Sequence, residues 1–226
     1  RFCMNTDKKA VVVSGGTLQE AFVLEVLKSL GETDCIIGAD RGVLFLYEHK
    51  IEPMYIVGDF DSLPSKVLEY YRKEAKIPIR EYNPMKDFTD TEIAANLAMQ
   101  LGYKNVWILG GTGTRIDHML ANIQVLAGLY ERGVKGVLLD AYNRITLIDG
   151  ETHLKKEDMY GAYFSVFPLE EDVLGLDIKG AKYPLSNHTL TSRNSLCVSN
   201  EIAEEAEKVV IDFPYGLVIL IEAKDA

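Results

Sequence analysis

Short apolar runs alternate with longer amphipathic stretches along the chain as far as about residue 142. The runs are rich in Val and Ile and apolar on both faces, which predicts strands of a sheet covered on both sides. The predicted strands are 10–13, 35–37, 55–57, 106–109 and 137–139, with 77–81 as a weaker sixth. The predicted helices are 18–30, 41–49, 64–73, 90–101 and 116–131. This alternation predicts a doubly wound, mainly parallel sheet.

From about Asn143 the helical periodicity stops and short strand-like runs follow, separated by turn signals such as Asp-Gly and Lys-Gly. The predicted strands here are 144–148, 162–167, 173–178, 190–198, 208–213 and 217–222. The fold class is therefore predicted as α/β, with an N-terminal parallel-sheet domain over 1–142 and a C-terminal all-β sandwich or jelly-roll domain over 143–226.

Composition and charge limit the classes of function. The chain has 226 residues, of which 47% are hydrophobic and 26% charged, as in an ordinary soluble globular protein. Its net charge of −10 argues against sequence-independent nucleic-acid binding, which needs a basic face. Any phosphate-bearing ligand would therefore need local arginines, backbone amides or a metal ion.

Cysteine use and the lack of long apolar stretches suggest a compartment. Three widely separated cysteines fit neither a disulfide framework nor a zinc site, and suit a reducing cytoplasm. No stretch approaches the roughly 20 apolar residues of a membrane-spanning helix, and the first residues lack a signal-peptide core. A cytoplasmic protein without a membrane partner is expected.

Polar segments follow the predicted parallel strands at their carboxyl ends, which lie along one edge of such a sheet. Ligands of open α/β sheets bind at that edge. The segments are SGG (14–16), GADRG (38–42), GDFDS (58–62), KDFTD (86–90) and GGTGTRIDH (110–118). Their glycines, aspartates and arginines predict a functional site there.

Two of these segments suggest a metal site. In an extended segment, Asp59 and Asp61 point to the same side, where their charges repel unless a divalent cation binds between them. Mg²⁺ prefers such carboxylate oxygens, although Asp and Ser are also common in simple turns. Thr89 and Glu92 form a capping-box pattern that also suits Asp90 in the first helical turn. Capping leaves Asp87 unexplained.

The segment GGTGTRIDH joins a predicted strand to a predicted helix. Glycines there let the backbone approach a phosphate, and helix amides can receive it. The pattern is neither the dinucleotide-binding fingerprint nor a P-loop. Arg115 can bind a phosphate through two hydrogen bonds, or pair with Asp117 and His118 at the helix start. Asp40 has a similar alternative as the cap of the following helix.

Together, GADRG, VGDFDS, KDFTDTE and GGTGTRIDH, followed by VSNE at 198–201, resemble the thiamin pyrophosphokinase family in order and spacing. The resemblance implies that ATP and thiamin give thiamin diphosphate and AMP, in a homodimer that uses Mg²⁺. It also implies that thiamin binds between the α/β domain of one subunit and the β domain of the other.

The resemblance also implies roles for individual residues. Asp59, Asp61 and Asp87 would bind Mg²⁺ or orient it through waters, and Asp61 would accept the hydroxyl proton. Asp90 would support them or bind the metal directly. The phosphates would be held by Gly110, Gly111, Gly113 and Arg115. The rest of the nucleotide site would be shaped by Asp40, Arg41, Ser62, Asp117 and His118. Ser199 and Asn200 would contact the aminopyrimidine of thiamin.

Two other functions fit parts of the sequence. The Asp-x-Asp after a strand is also found in hydrolases that form an aspartyl phosphate, and phosphate release from simple phosphoesters without ATP would favour that class. A sensor that binds nucleotide or thiamin without turnover is the second alternative, and binding without AMP formation would favour it.

Overall fold

The computed structural model describes residues 8–61, 63–81, 88–113 and 115–226. The chain divides into two compact units. We call the described residues up to Ala141 the α/β unit, and Tyr142–Ala226 the β unit.

The strands of the α/β unit are all parallel. Their bounds are Lys9–Val13 (β1), Cys35–Ala39 (β2), Tyr55–Gly58 (β3), Ile79–Glu81 (β4), Asn105–Leu109 (β5) and Lys135–Leu139 (β6). They are hydrogen-bonded in the order β4-β3-β2-β1-β5-β6. The order reverses between β1 and β5, and such a switch point opens a crevice at the carboxyl ends of the two strands.

The five predicted helices are present. They are Glu20–Lys28 (α1), Gly42–Glu48 (α2), Ser65–Glu69 (α3), Asp90–Gln100 (α4) and Ile116–Glu131 (α5). The hydroxyl of Thr89 accepts a hydrogen bond from the N–H of Glu92 at 3.2 Å, so the predicted cap of α4 is confirmed. α3 continues as a π-helical turn, Tyr70–Glu74, around the buried ring of Tyr71. None of the helices in the described ranges has the length and apolar content that a membrane crossing requires.

An ion pair at the amino end of β1 lies near the only tryptophan of the chain. Lys9 donates its N–H to Asp34 at 2.8 Å, and its ammonium group lies 3.0 Å from the same carboxylate. Burial alone would raise the pKa of Asp34, but the backbone N–H groups of Lys9 and Gly31 and the charge of Lys9 outweigh burial and lower the pKa. The half-buried Trp107 of β5 lies with its ring centre 5.2 Å from the Lys9 ammonium nitrogen.

The β unit is antiparallel throughout. Its strands are Asn143–Ile148 (β7), Thr152–Lys155 (β8), Tyr163–Pro168 (β9), Val173–Lys179 (β10), Leu185–Leu190 (β11), Lys208–Asp212 (β12) and Val218–Ala223 (β13). Within this unit β7-β13-β9 are neighbours, and β11-β10-β12-β8 form a second sheet. Phe164 of β9 and Leu176 of β10 belong to one buried cluster, so the inner faces of both sheets share a core. The predicted fold class is confirmed.

One strand prediction in the β unit is wrong, and one strand was not predicted. The predicted strand 190–198 is a loop after Leu190, and the strand is Leu185–Leu190 instead. The strand Thr152–Lys155 was not predicted. β8 and β11 are the outer strands of their sheet, and each has one buried residue, Leu154 and Leu190. Because edge strands face solvent, they lack the apolar pattern on which strand prediction depends.

A buried ion pair joins β7 to β13. The Arg144 guanidinium group donates to both oxygens of Glu222 at 2.7 and 2.6 Å. Glu222 is 3% exposed and also accepts the N–H of Tyr160 at 3.2 Å. A buried carboxylate is tolerated when it is paired and hydrogen-bonded in this way.

Candidate active site

The loop after β1 lies along the glycine-rich turn (residues 110–113) that follows β5. Ser14 donates its N–H to the carbonyl of Leu109 at 2.8 Å, and Gly16 donates to Gly110 at 2.7 Å. Thr17 donates to Thr112 at 2.9 Å. These bonds extend the contact between β1 and β5 beyond the ends of the strands, at the switch point of the sheet.

Glycine is required at two positions of the glycine-rich turn. Gly110 has φ +69°, and a Cβ there would lie 2.5 Å from the carbonyl oxygen of Ser14. Gly113 has φ +139°, and its Cβ would lie 2.5 Å from the hydroxyl of Thr17. Both the left-handed backbone and the close approach exclude a side chain. The carbonyl of Gly111 accepts the side-chain amide of Asn122 at 2.8 Å, so the turn is also held from α5.

Asp40 lies beside the end of β1. Its N–H donates to Val57 of β3 at 3.3 Å, and its carbonyl accepts the N–H of Val43 at 3.1 Å, at the start of α2. A Cβ on Gly15 would collide with the Asp40 carboxylate. Asp40 itself has φ +48°, a strained conformation that is often found at functional sites. Arg41, the next residue, is exposed.

Asp59 and Asp61 are both exposed, but the segment between them is not extended. Phe60 has φ +60°, and its carbonyl accepts the N–H of Leu63 at 3.0 Å, so the chain turns there. Asp61 donates its N–H to the Asp59 carboxylate at 3.3 Å. The ring of Phe60 is buried among Val43, Ile56, Val67 and Tyr71. Packing of the Phe60 ring therefore stabilises a strained turn between the two carboxylates. The prediction that Asp59 and Asp61 lie in an extended segment is wrong.

The start of α4 lies near the same strand ends. Asp90 is its first residue, and its carboxylate lies 3.5 Å from the point that a Cβ of Gly58 would occupy. The hydroxyls of Thr91 and Ser14 are 2.5 Å apart and link α4 to the end of β1. The start of the segment 58–62 and the end of the segment 86–90 therefore lie close together. Ser62 and Asp87 lie outside the described residues.

The predicted magnesium ligands are described only in part. Within residues 8–61, 63–81, 88–113 and 115–226, no three or more His, Cys, Asp or Glu side chains are grouped closely enough to hold a metal ion. The predicted set Asp59, Asp61 and Asp87 includes a residue beyond those ranges and stays a prediction. Asp59 and Asp61 themselves fit Mg²⁺, because they present exposed carboxylate oxygens two residues apart.

Arg115 and Asp117 form an exposed pair where α5 begins. The guanidinium group donates to both Asp117 oxygens, at 3.1 and 2.5 Å, as the sequence predicted for one of two alternatives. The hydrogen bond from Arg115 lowers the pKa of Asp117 to about 2. Asp117 also accepts the N–H of His118 at 2.9 Å. A guanidinium group has five N–H donors, so this pair leaves Arg115 able to bind a phosphate as well.

In the β unit, Ser199 and Asn200 differ in environment. Ser199 is exposed with φ +56°, whereas Asn200 is 5% exposed. The Asn200 amide group accepts the N–H of Tyr183 at 3.1 Å and donates to its carbonyl at 2.8 Å. The ring of Tyr183 is 60% exposed. Asn200 therefore fixes the backbone of a residue that presents an aromatic surface.

The sequence prediction missed Tyr183, Thr112 and Asp140. Tyr183 is followed by Pro184 and resembles loop punctuation. Asp140 directly follows β6. The sequence contains a signal for this residue, because other predicted site aspartates also follow the apolar run of a strand. Asp140 is 6% exposed and accepts the hydroxyl of Thr112 at 2.7 Å.

These features define a class of protein. A glycine-rich strand-to-helix turn, exposed carboxylates and an arginine gather around the switch point of a parallel sheet, and a separate antiparallel unit accompanies it. This is the arrangement of an α/β enzyme that acts on a phosphate-bearing substrate.

Comparison with known proteins identifies the family. Residues 26–138 match the family model described as thiamin pyrophosphokinase, catalytic domain, and residues 151–218 match thiamin pyrophosphokinase, vitamin B1 binding domain. The chain is 34% identical to thiamine pyrophosphokinase of Bacillus subtilis (strain 168) over 190 residues, which are 84% of this chain and 87% of that protein.

Solved structures agree in fold. The crystal structure of thiamine pyrophosphokinase from Bacillus subtilis matches with a TM-score of 0.84 at 28% identity, over 97% of this chain and 100% of that one. The enzyme from Geobacillus thermodenitrificans matches with a TM-score of 0.80 at 28% identity, over 97% and 98%. The chain belongs to the thiamin pyrophosphokinase family. The predicted family and enzyme class are confirmed.

Proposed function

We propose that this chain transfers the pyrophosphoryl group of ATP to the hydroxyl group of thiamin. The observation that carries the proposal is the meeting of sequence-distant segments at one sheet edge, where the loop after β1 is bonded to the glycine-rich turn and lies beside Asp40. The hydroxyl oxygen of thiamin bonds to the β-phosphorus, the bond from that phosphorus to the oxygen bridging to the α-phosphate breaks, and AMP leaves. Such transfers need positioning and charge neutralisation more than covalent help.

The glycine-rich turn and Arg115 hold the phosphates of ATP. Main-chain or side-chain donors fix the carbonyls of Gly110, Gly111 and Thr112, so the turn is ordered before the nucleotide arrives. Arg115 is exposed at the start of α5, where the helix dipole also favours anions. The remaining nucleotide contacts are assigned to Asp40, Arg41, Ser62, Asp117 and His118. Asp40 is supported by its position beside Gly15.

Asp59, Asp61 and Asp87 hold Mg²⁺, and Asp90 supports them from the start of α4. Bound Mg²⁺ neutralises negative charge on the phosphate oxygens. Asp61 accepts the proton of the thiamin hydroxyl as the oxygen bonds to phosphorus. The exposure of Asp59 and Asp61 supports these roles, because both residues are accessible to a ligand while the Phe60 ring between them is buried.

The β unit binds thiamin. Ser199 contributes its exposed hydroxyl, and the ring of Tyr183 packs against the planar, cationic thiamin ring system. Asn200 acts by holding Tyr183 through the two hydrogen bonds described above. In this proposal, residues 1–142 bind the nucleotide and contain the catalytic groups, and residues 143–226 bind thiamin.

We further propose a cytoplasmic homodimer. The family resemblance supports the dimer, and sedimentation equilibrium should give twice the mass of one chain. Cys35 and Cys197 are buried free thiols, in keeping with a reducing compartment.

The decisive experiment incubates the protein with ATP, Mg²⁺ and thiamin and identifies the products by mass. Thiamin diphosphate with AMP is the expected result, and excess chelator should abolish both. Thiamin monophosphate with ADP would mean that a single phosphoryl group is transferred. Ligand binding without any product would contradict the proposal.

A further inference from the structure

Asp140 is a buried carboxylate for which the proposed reaction has no use. It follows β6 directly, next to β5, and its carboxylate accepts the Thr112 hydroxyl at 2.7 Å. A charged or polar group that is 6% exposed is retained at a cost in stability unless its hydrogen bonds compensate. Thr112 lies in the glycine-rich turn, so we expect the hydrogen bond with Asp140 to affect the conformation of that turn.

Thr112 is the one residue of this turn with a side chain, because residues 110, 111 and 113 are glycines. Glycines lose more conformational freedom on ordering than other residues, so a turn composed of them needs external anchors. Three anchors hold backbone carbonyls, from Gly16, Asn122 and Thr17. The bond to Asp140 is the anchor that holds a side chain of the turn.

We infer that Asp140 is a positioning residue for ATP, acting through Thr112 to fix the phosphate-binding conformation of the glycine-rich turn. This inference rests on the proposed phosphate-binding role of the turn. A turn that is ordered in the free protein does not lose that freedom on binding, so the anchor contributes to nucleotide affinity. It has no corresponding effect on thiamin, which is assigned to the β unit.

The test compares Thr112→Val, which keeps the shape of the side chain without its hydroxyl, with Thr112→Ser, which keeps the hydroxyl. Calorimetry with a non-hydrolysable ATP analogue measures binding, and AMP release measures the KM of each substrate. Thr112→Val should weaken analogue binding and raise the KM for ATP about tenfold, the range of one lost buried hydrogen bond, with the KM for thiamin unchanged. Thr112→Ser should recover most of the affinity.

Asp140 is tested in the same way. Asp140→Asn keeps an oxygen acceptor and should retain most of the affinity, whereas Asp140→Leu should lose at least as much affinity as Thr112→Val. The double variant Thr112→Val/Asp140→Leu should bind the analogue no more weakly than Asp140→Leu alone, because both substitutions remove the same Thr112–Asp140 hydrogen bond. Thr189→Val, an exposed threonine on β11, is the matched control.

Three results would overturn the inference. They are wild-type analogue affinity in Thr112→Val, equal losses in Thr112→Val and Thr112→Ser, or additive losses in the double variant. Should Asp140→Leu fail to fold, the two threonine variants still decide. Wild-type protein that binds the analogue but forms no AMP from ATP and thiamin would contradict the proposed function, yet the binding comparison would still test the anchor.

Discussion

The two units present their predicted functional residues in opposite ways. In the α/β unit, Asp59, Asp61 and Arg115 are exposed in segments that follow strand ends. In the β unit, the predicted Asn200 is buried and bonded to the backbone of Tyr183, which presents the exposed ring. A predicted site residue can therefore be exposed in one unit and serve as a buried support in the other. Each prediction below tests that contrast.

The largest expected effect is on catalysis in the α/β unit. Asp61→Asn should lower the rate of AMP release by about 10²–10⁴-fold, because the amide can neither accept the hydroxyl proton nor supply a negative charge to Mg²⁺. Thermal unfolding should change little, since the side chain is exposed. Asp158→Asn, an exposed aspartate of the β unit, is the control. Activity within a few-fold of wild type would contradict the metal-centred mechanism.

The next effect is on stability in the β unit. Glu222→Ala should lower the free energy of unfolding by about 3–5 kcal/mol, because it leaves the Arg144 guanidinium group without its bidentate partner. Urea unfolding followed by circular dichroism measures the change, and Glu171→Ala, an exposed residue of the same unit, is the control. A loss of unfolding free energy no larger than that of the control would mean that water replaces Glu222 as the hydrogen-bond partner of Arg144.

A smaller effect distinguishes the role of the exposed Tyr183 ring from that of the buried Asn200, which holds the Tyr183 backbone. Tyr183→Ala should raise the KM for thiamin about 5- to 30-fold, the range of one aromatic contact with a cation, and leave the KM for ATP unchanged. Tyr183→Phe should keep most of the affinity, and Tyr215→Ala is the control, since that ring is also exposed. Asn200→Ala should raise the same KM and also lower the melting temperature. An unchanged KM in Tyr183→Ala would remove the ring from the thiamin site.

The smallest effect is a pH dependence of stability in the α/β unit. The pKa of Asp34 is lowered in the folded protein, so the unfolded chain binds more protons in acid. The stabilisation is present above the unfolded pKa of about 4 and is lost as pH falls through the folded value. Melting temperatures of Asp34→Asn should therefore fall less steeply than those of wild type below about pH 4.5. Parallel curves would exclude a contribution from this pair.

The sequence predicts the α/β unit well because its strands are buried on both faces and its helices carry regular apolar stripes. The bounds of α5 are those predicted, and Thr89 caps α4 as its spacing with Glu92 indicates. The left-handed turn at Phe60 was not predictable, because the burial of its ring by residues distant in sequence stabilises it. Local propensity does not contain that information.

In the β unit the hydrophobic pattern is a weaker guide to the strands. The edge strands β8 and β11 have polar sequences, and turn residues alone did not reveal them. The support given by Asn200 depends on pairing between segments near residues 183 and 200, which no spacing rule encodes. The position of Asp140 after a predicted strand was visible in the sequence, but its hydrogen bond with Thr112 was not predictable from the sequence.

The single indole of the chain has a practical consequence. Trp107 belongs to β5, and the β unit contains no tryptophan. Fluorescence excited selectively from this chromophore therefore follows unfolding of the α/β unit alone, while far-ultraviolet ellipticity follows both units. Non-coincident transitions by the two optical signals would show that the halves melt separately.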